Sequence, residues 1–166
     1  MTQKRTQFNG IYEQYKTVVL AFLHHQMPHE ADRDEVFQET WLDFYLGLDR
    51  GLPEQPRAYL LQIARRKVAK FRLSPKTTGL STMSSIPAPD TQRDLSAILD
   101  LAIQSLEPDK RDVFVMKHRL GLDYREIATV LEIPKGTVAS RLHHAIADLK
   151  ASLQRAGLDC RIGESA

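Results

Sequence analysis

DYREIATVLEIPKGTVASRLHHA, Asp123 to Ala145, is the stretch that decides the reading of this 166-residue chain. Glu126, Ile127, Ala128 and Leu131 suit a short helix, with small Ala128 where a second helix would cross closely. Ile133-Pro134-Lys135-Gly136 breaks that pattern. Pro134 is tolerated at the start of a following helix, because its missing N–H would be unpaired there anyway. Val138, Leu142, Ala145 and Leu149 then recur at helical spacing and form one apolar face. Thr137, Ser140, Arg141 and His144 fall on other faces, where short polar groups and a guanidinium can enter a DNA major groove. The spacing is that of a helix-turn-helix. The competing reading is a helical hairpin used only for packing.

Composition sets the frame around this motif. Hydrophobic residues make up 42% of the chain, which calls for a folded protein. With 8 Gly, 8 Pro and few β-branched runs, helices are favoured over a sheet sandwich. A length of 166 residues allows one medium domain or two small ones. The net charge is only +2 and the pI about 8.7, so nucleic-acid binding has to come from local basic patches. The single cysteine, Cys160, cannot form an intrachain disulfide and fits a reducing cytoplasm. No apolar run approaches the ~20 residues needed to span a bilayer, and MTQKRTQFNG carries no secretion signal.

Working outward from the helix-turn-helix, two helical lobes emerge. In the first, Phe8, Ile11, Tyr15, Val18 (or Val19) and Phe22 mark an amphipathic helix stopped by Pro28. Asp32 with Glu35 has the spacing of a capping box for the next. That helix carries Val36, Phe37, Trp41, Phe44, Tyr45 and Leu48. Asp49 to Pro56, with Gly51, Pro53 and Pro56, is a break. A third helix from about Arg57 repeats Leu60, Ile63, Ala64, Val68 and Phe71. Ser74 to Asp90, SPKTTGLSTMSSIPAPD, has no periodicity and reads as a flexible linker. Leu95, Ile98, Leu99, Ala102 and Leu106 restart a helix that Pro108 ends. Val113 and Phe114 open another, leading into the helix-turn-helix. The expected architecture is all-α: residues 1–73 form one small helical domain and 74–94 a flexible linker. Residues 95–158 form a second small helical domain, and 159–166 a polar tail.

Charge is sorted sharply within the first lobe. Glu30, Asp32, Asp34, Glu35, Glu39 and Asp43 face only one base, Arg33, whereas Arg65, Arg66, Lys67, Lys70 and Arg72 form a run without an acid. Two adjacent helices of opposite sign can simply neutralise one another. They can also divide labour, the basic one facing phosphates and the acidic one a basic protein. Tyr59 near the start of the basic helix is placed either to stack on an exposed base or to close the core. Six histidines include His24, His25 and His29, but Pro28 interrupts the helix that would align them, and no metal site is expected. No Gly-rich phosphate loop, nucleophile elbow or paired-carboxylate pocket is present in the sequence. No catalytic residue, no cofactor and no enzymatic activity are expected.

These segments resemble a known family, the extracytoplasmic-function (ECF) sigma factors of bacterial RNA polymerase. LEPDKRDVFVMKHRLGLDYREIATVLEIPKGTVASRLHHA, Leu106 to Ala145, is similar to that family's promoter −35 binding domain, sigma region 4. DEVFQETWLDFY, Asp34 to Tyr45, resembles its polymerase-binding helix, and RAYLLQIARRKVAKFR, Arg57 to Arg72, its −10 binding helix, both in sigma region 2. The resemblance implies a cytoplasmic promoter-specificity subunit. Its partners would be core RNA polymerase and promoter DNA, with an anti-sigma factor as the usual regulator. It implies that Glu35, Gln38, Glu39 and Asp43 dock on the clamp helices of the polymerase's largest subunit. Tyr59, Arg65, Arg66 and Lys70 would meet −10 DNA, with the loop Asp49 to Pro56 capturing a flipped base. Lys135, Thr137, Ser140, Arg141 and His144 would meet the −35 element.

The chain departs from the family pattern at several points. Arg66 and Lys70 stand where Asn and Asp are common, which raises expected phosphate affinity. Glu132 stands where the turn usually has Gly; at a left-handed backbone position it costs about 1 kcal/mol. Ala139 replaces a usual Lys and His144 a usual Arg, leaving a weakly basic recognition helix. That weakness supports an alternative, a sigma mimic that sequesters an anti-sigma factor, which the basic run Arg65 to Arg72 argues against.

Overall fold

The computed structural model describes residues 2–27, 29–74 and 91–158. Pro28, residues 75–90 of the expected linker, and the tail 159–166 with Cys160 lie outside the described residues. Within them the chain forms α1 (Thr2–Gln26), α2 (Glu30–Gly47), a 3-10 turn (Leu48–Arg50) and α3 (Pro56–Leu73). There follow α4 (Thr91–Ser105), α5 (Pro108–His118), α6 (Tyr124–Leu131) and α7 (Lys135–Arg155). The described residues include no β-strand, so the all-α expectation stands. The chain divides into two compact units, Met1–Lys76 with Val115–Lys135 and Thr77–Phe114 with Gly136–Ala166.

In the first unit α1, α2 and α3 bury their apolar stripes, with α6 laid on α3. Val19, Phe22, Leu23, Val36, Phe44, Leu60, Leu61 and Ala64 are at or near zero exposure. Each fully buried large side chain contributes roughly 1.5–3 kcal/mol. Trp41, 4% exposed, is ringed by aromatics: Tyr12 at 4.8 Å, Phe8 at 5.8 Å and Phe44 at 5.9 Å, all edge-on. Two arginines finish α1, because its last carbonyls have no partner within the helix. Arg72 Nη2 donates to the Gln26 carbonyl at 2.8 Å and Arg33 Nη1 to that of Met27 at 3.2 Å.

Two local readings change. The capping box expected at Asp32 and Glu35 does not form: α2 starts at Glu30 with His29 as an N-cap that makes no side-chain bond. Both acids lie inside the helix, where Glu30 and Asp32 in the first turn complement the positive end of the helix dipole. Pro108, expected to end a helix, instead opens α5, the first-turn position at which proline is tolerated.

The second unit buries Ala102, Ile103 and Leu106 from α4 and its exit, Val113, and the α7 series Val138, Leu142, Ala145, Leu149 and Leu153. The α7 series is the apolar face expected from the sequence, extended by one turn. Arg111 ties α5 to the end of α4, its Nη2 donating to the carbonyls of Gln104 at 3.0 Å and Leu106 at 2.9 Å. Lys110 joins Asp148 on α7 at 2.8 Å.

Candidate nucleic-acid and protein-docking surfaces

On α2 the expected docking residues share one stripe. Glu35, Gln38 and Glu39 are exposed and Asp43 is half-buried. Leu42 and Leu46, at 56% and 57% exposure, continue the same line at helical spacing. Sequence reasoning did not single out these two leucines, although their four-residue step from Gln38 is visible in the chain. The resulting face is acidic with an apolar spine, the composition of a surface that docks on a basic, amphipathic partner. Lys67 of α3 anchors one side of it, reaching Asp43 at 2.7 Å and Glu39 at 3.5 Å. The Asp43 hydrogen bond is the largest cause of the raised Lys67 pKa, so the ammonium stays charged.

The cations of α3 have distinct tasks. Arg72 holds the end of α1 and Lys67 the acids of α2. Arg65, half-buried, and Lys70, exposed, make no ion pair among the described residues. Arg66 pairs with Glu132 just beyond the end of α6. Beside Arg66 lies an open concavity of about 340 Å³, lined by Leu46, Gly47, Arg50, Tyr59 and Ile63 as well as Asp43 and Lys67. Tyr59 does both jobs foreseen for it: its ring sits 6.1 Å from Phe44 and it also lines this hollow. Gly47 makes that possible, since a Cβ there would lie 3.4 Å from the Tyr59 hydroxyl. The mouth is formed at the 3-10 turn, and Gly51 leaves it at φ 110°, a conformation that favours glycine.

The helix-turn-helix is built as its sequence implies, with one feature unforeseen. Asp123 caps α6, accepting from the Glu126 N–H at 2.8 Å, while the Glu126 side chain accepts from the Asp123 N–H at 3.0 Å. This reciprocal box satisfies two helix-end donors at once. The turn leaves α6 through Glu132 at φ 57°, ψ 42°, the left-handed conformation anticipated from the missing glycine. In α7, Lys135, Ser140 and His144 are exposed, and Thr137 and Arg141 are half-buried. Thr137, Ser140, Arg141 and His144 share a stripe at three- and four-residue spacing. Arg141 also pairs with Asp109 of α5 at 3.0 Å. Among the described residues, no cluster of three or more His, Cys, Asp or Glu is placed to hold a metal ion, and no helix is long and apolar enough to cross a membrane.

Residues 11–74 match the sequence pattern of sigma-70 region 2 and residues 96–149 that of sigma-70, region 4. The chain is 30% identical over 165 residues to the ECF RNA polymerase sigma factor SigL of Mycobacterium tuberculosis, covering 90% of both proteins. Its fold is similar to that of CnrH in a complex with the cytosolic domain of CnrY, with a TM-score of 0.69, 23% identity and coverage of 91% and 90%. It is also similar to the sigma factor RpoE bound to the anti-sigma factor NepR from Bartonella quintana, with a TM-score of 0.59, 19% identity and coverage of 86% and 95%. The protein belongs to the ECF sigma factors, a family of non-enzymatic transcription regulators that direct promoter recognition and initiation.

Proposed function

We propose that this chain binds bacterial core RNA polymerase through the acidic, leucine-lined face of α2 and reads promoters through α3 and α7. Residues 1–73 act as the region 2 domain and 95–158 as the region 4 domain, with 74–94 as the tether between them. Glu35, Gln38, Glu39 and Asp43 meet the polymerase. Tyr59, Arg65, Arg66 and Lys70 meet the −10 element, and the concavity floored by Tyr59 accepts a base flipped from the non-template strand, worth ~1–3 kcal/mol in stacking. Lys135, Thr137, Ser140, Arg141 and His144 meet the −35 element. The chain performs no catalytic step itself; its binding energy offsets duplex melting in the cytoplasm while the polymerase makes RNA. An anti-sigma factor is the expected regulator.

The observation that carries this reading is the pairing, in one unit, of an acidic face on α2 with a basic face and base-sized hollow on α3. Nothing among the relatives favours a sigma mimic. The test mixes the purified chain with core polymerase and a promoter-fragment library. Stable association with initiation at a shared pair of motifs is the expected result. A chain that neither associates nor initiates overturns it.

A further inference from the structure

The contact between α3 and α6 has no role in the reading above, and it covers part of the surface that reading assigns to DNA. Arg57 at the start of α3 grips Glu126 with two bonds, Nε at 2.8 Å and Nη2 at 2.5 Å. One turn on, Gln62 donates to Glu132 Oε1 at 2.7 Å and to the Thr129 carbonyl at 3.3 Å. A further turn on, Arg66 pairs with the same Glu132 oxygen. Arg125 reaches back to Glu54 at 3.6 Å. These bonds form a ladder along the face of α3 that holds the −10 residue Arg66.

Glu132 is the residue with no local reason to be there. Among the described residues it alone is a non-glycine at positive φ. A strained backbone that the surroundings retain points to a use. Arg66 and Glu132 are also both departures from the ECF pattern, and they meet each other. Arg66 holds the Glu132 carboxyl below its usual range, chiefly through their hydrogen bond, so the carboxylate is charged at neutral pH.

We propose that Glu132 is a phosphate mimic that latches α6 over the −10 face of α3, so that the free chain keeps Arg66 covered until promoter or polymerase displaces it. This rests on the −10 assignment of Arg66. The two halves of the ladder differ in strength. Arg57 and Glu126 side chains are 30% and 15% exposed, whereas those of Arg66 and Glu132 are 61% and 53%. The outer pair is screened by water and salt, and a DNA phosphate can exchange for it without a large barrier. The inner pair keeps α6 in register while that exchange occurs.

The experiment measures binding of a fluorescent non-template −10 strand, taken from an initiating promoter, to the free chain and to the holoenzyme at low salt. Glycine suits a left-handed position, so Glu132→Gly folds. It should tighten binding to the free chain about twofold to fivefold, the range of an exposed ion pair. Holoenzyme binding should stay within about twofold, its latch being already open. In an Arg66→Ala background the gain should vanish; a persisting gain would show simple charge removal and overturn the latch. Equal affinities of Glu132→Gly and wild-type free chains, with Arg66→Ala still weakening the holoenzyme, would overturn the latch and leave the −10 reading intact. An Arg66→Ala holoenzyme that binds normally would overturn both.

Discussion

Asp123 and Glu126 show how much one short motif determines. Each satisfies the other's backbone N–H, and Glu126 also takes both bonds from Arg57. Asp123→Ala should therefore cost about 0.5–2 kcal/mol in urea unfolding, the usual range for a lost N-cap. Glu126→Ala should cost more, about 1–3 kcal/mol, because it also leaves a half-buried guanidinium without its partner. Equal losses would mean that the Arg57 bond adds nothing. The same Asp-x-x-Glu spacing failed at Asp32 and Glu35. In an acid-rich segment it recurs by composition, and there the helix had already begun at Glu30. Spacing identifies a cap only where the residue before it leaves the helix. Glu132 was legible as a strained position but not as a partner of Arg66, which lies 66 residues away.

At the scale of elements, the acidic and basic helices are neither fully self-neutralising nor fully independent. Lys67 stitches them together, and its partners Glu39 and Asp43 belong to the docking stripe. Glu35→Lys with Glu39→Lys should abolish co-purification with core polymerase. It should cost about 0–1 kcal/mol of stability, since the Lys67–Asp43 bond survives. Retained co-purification would place the docking face elsewhere. Replacing Arg65, Arg66 and Lys70 by Ala should do the reverse, sparing polymerase binding and removing promoter opening. Normal transcription from that variant would remove α3 from the −10 assignment. The acid-side behaviour of the α3–α6 ladder follows from the lowered Glu132 pKa. A carboxyl depressed on folding contributes stability that is present above its unfolded value, about 4.3, and is lost as pH falls through the folded one. Exchange at α6 amides should thus be insensitive to pH between about 8 and 5 and accelerate only below that range; acceleration beginning near neutrality would assign the contact to another group.

At the scale of the whole molecule, periodicity made the helices and most of the core readable. Val36, Trp41, Phe44, Leu60, Ala64, Val138, Leu142 and Leu149 are all buried where the 3.6-residue rhythm put them. What periodicity cannot convey is which polar face meets which, because ion pairs carry no repeat and join distant positions. For that reason the hollow beside Tyr59 and the ladder on α3 emerged only in three dimensions. The net charge of +2 leads to one last expectation. With so small a global charge, salt dependence of promoter binding has to arise from a few local cations. Each phosphate contact contributes about 0.7 to 0.9 to the slope of log affinity against log salt. Removing Arg65, Arg66 and Lys70 should then lower the holoenzyme's slope by about 2 to 3 relative to wild type. Lys67→Ala should hardly change it, since that ammonium is held by Asp43 and Glu39 and not offered to DNA. Measuring both variants on one promoter fragment over a salt series separates the two cases: a slope lost on removing Lys67, and retained without the other three, would reverse which face of α3 lies along the phosphates.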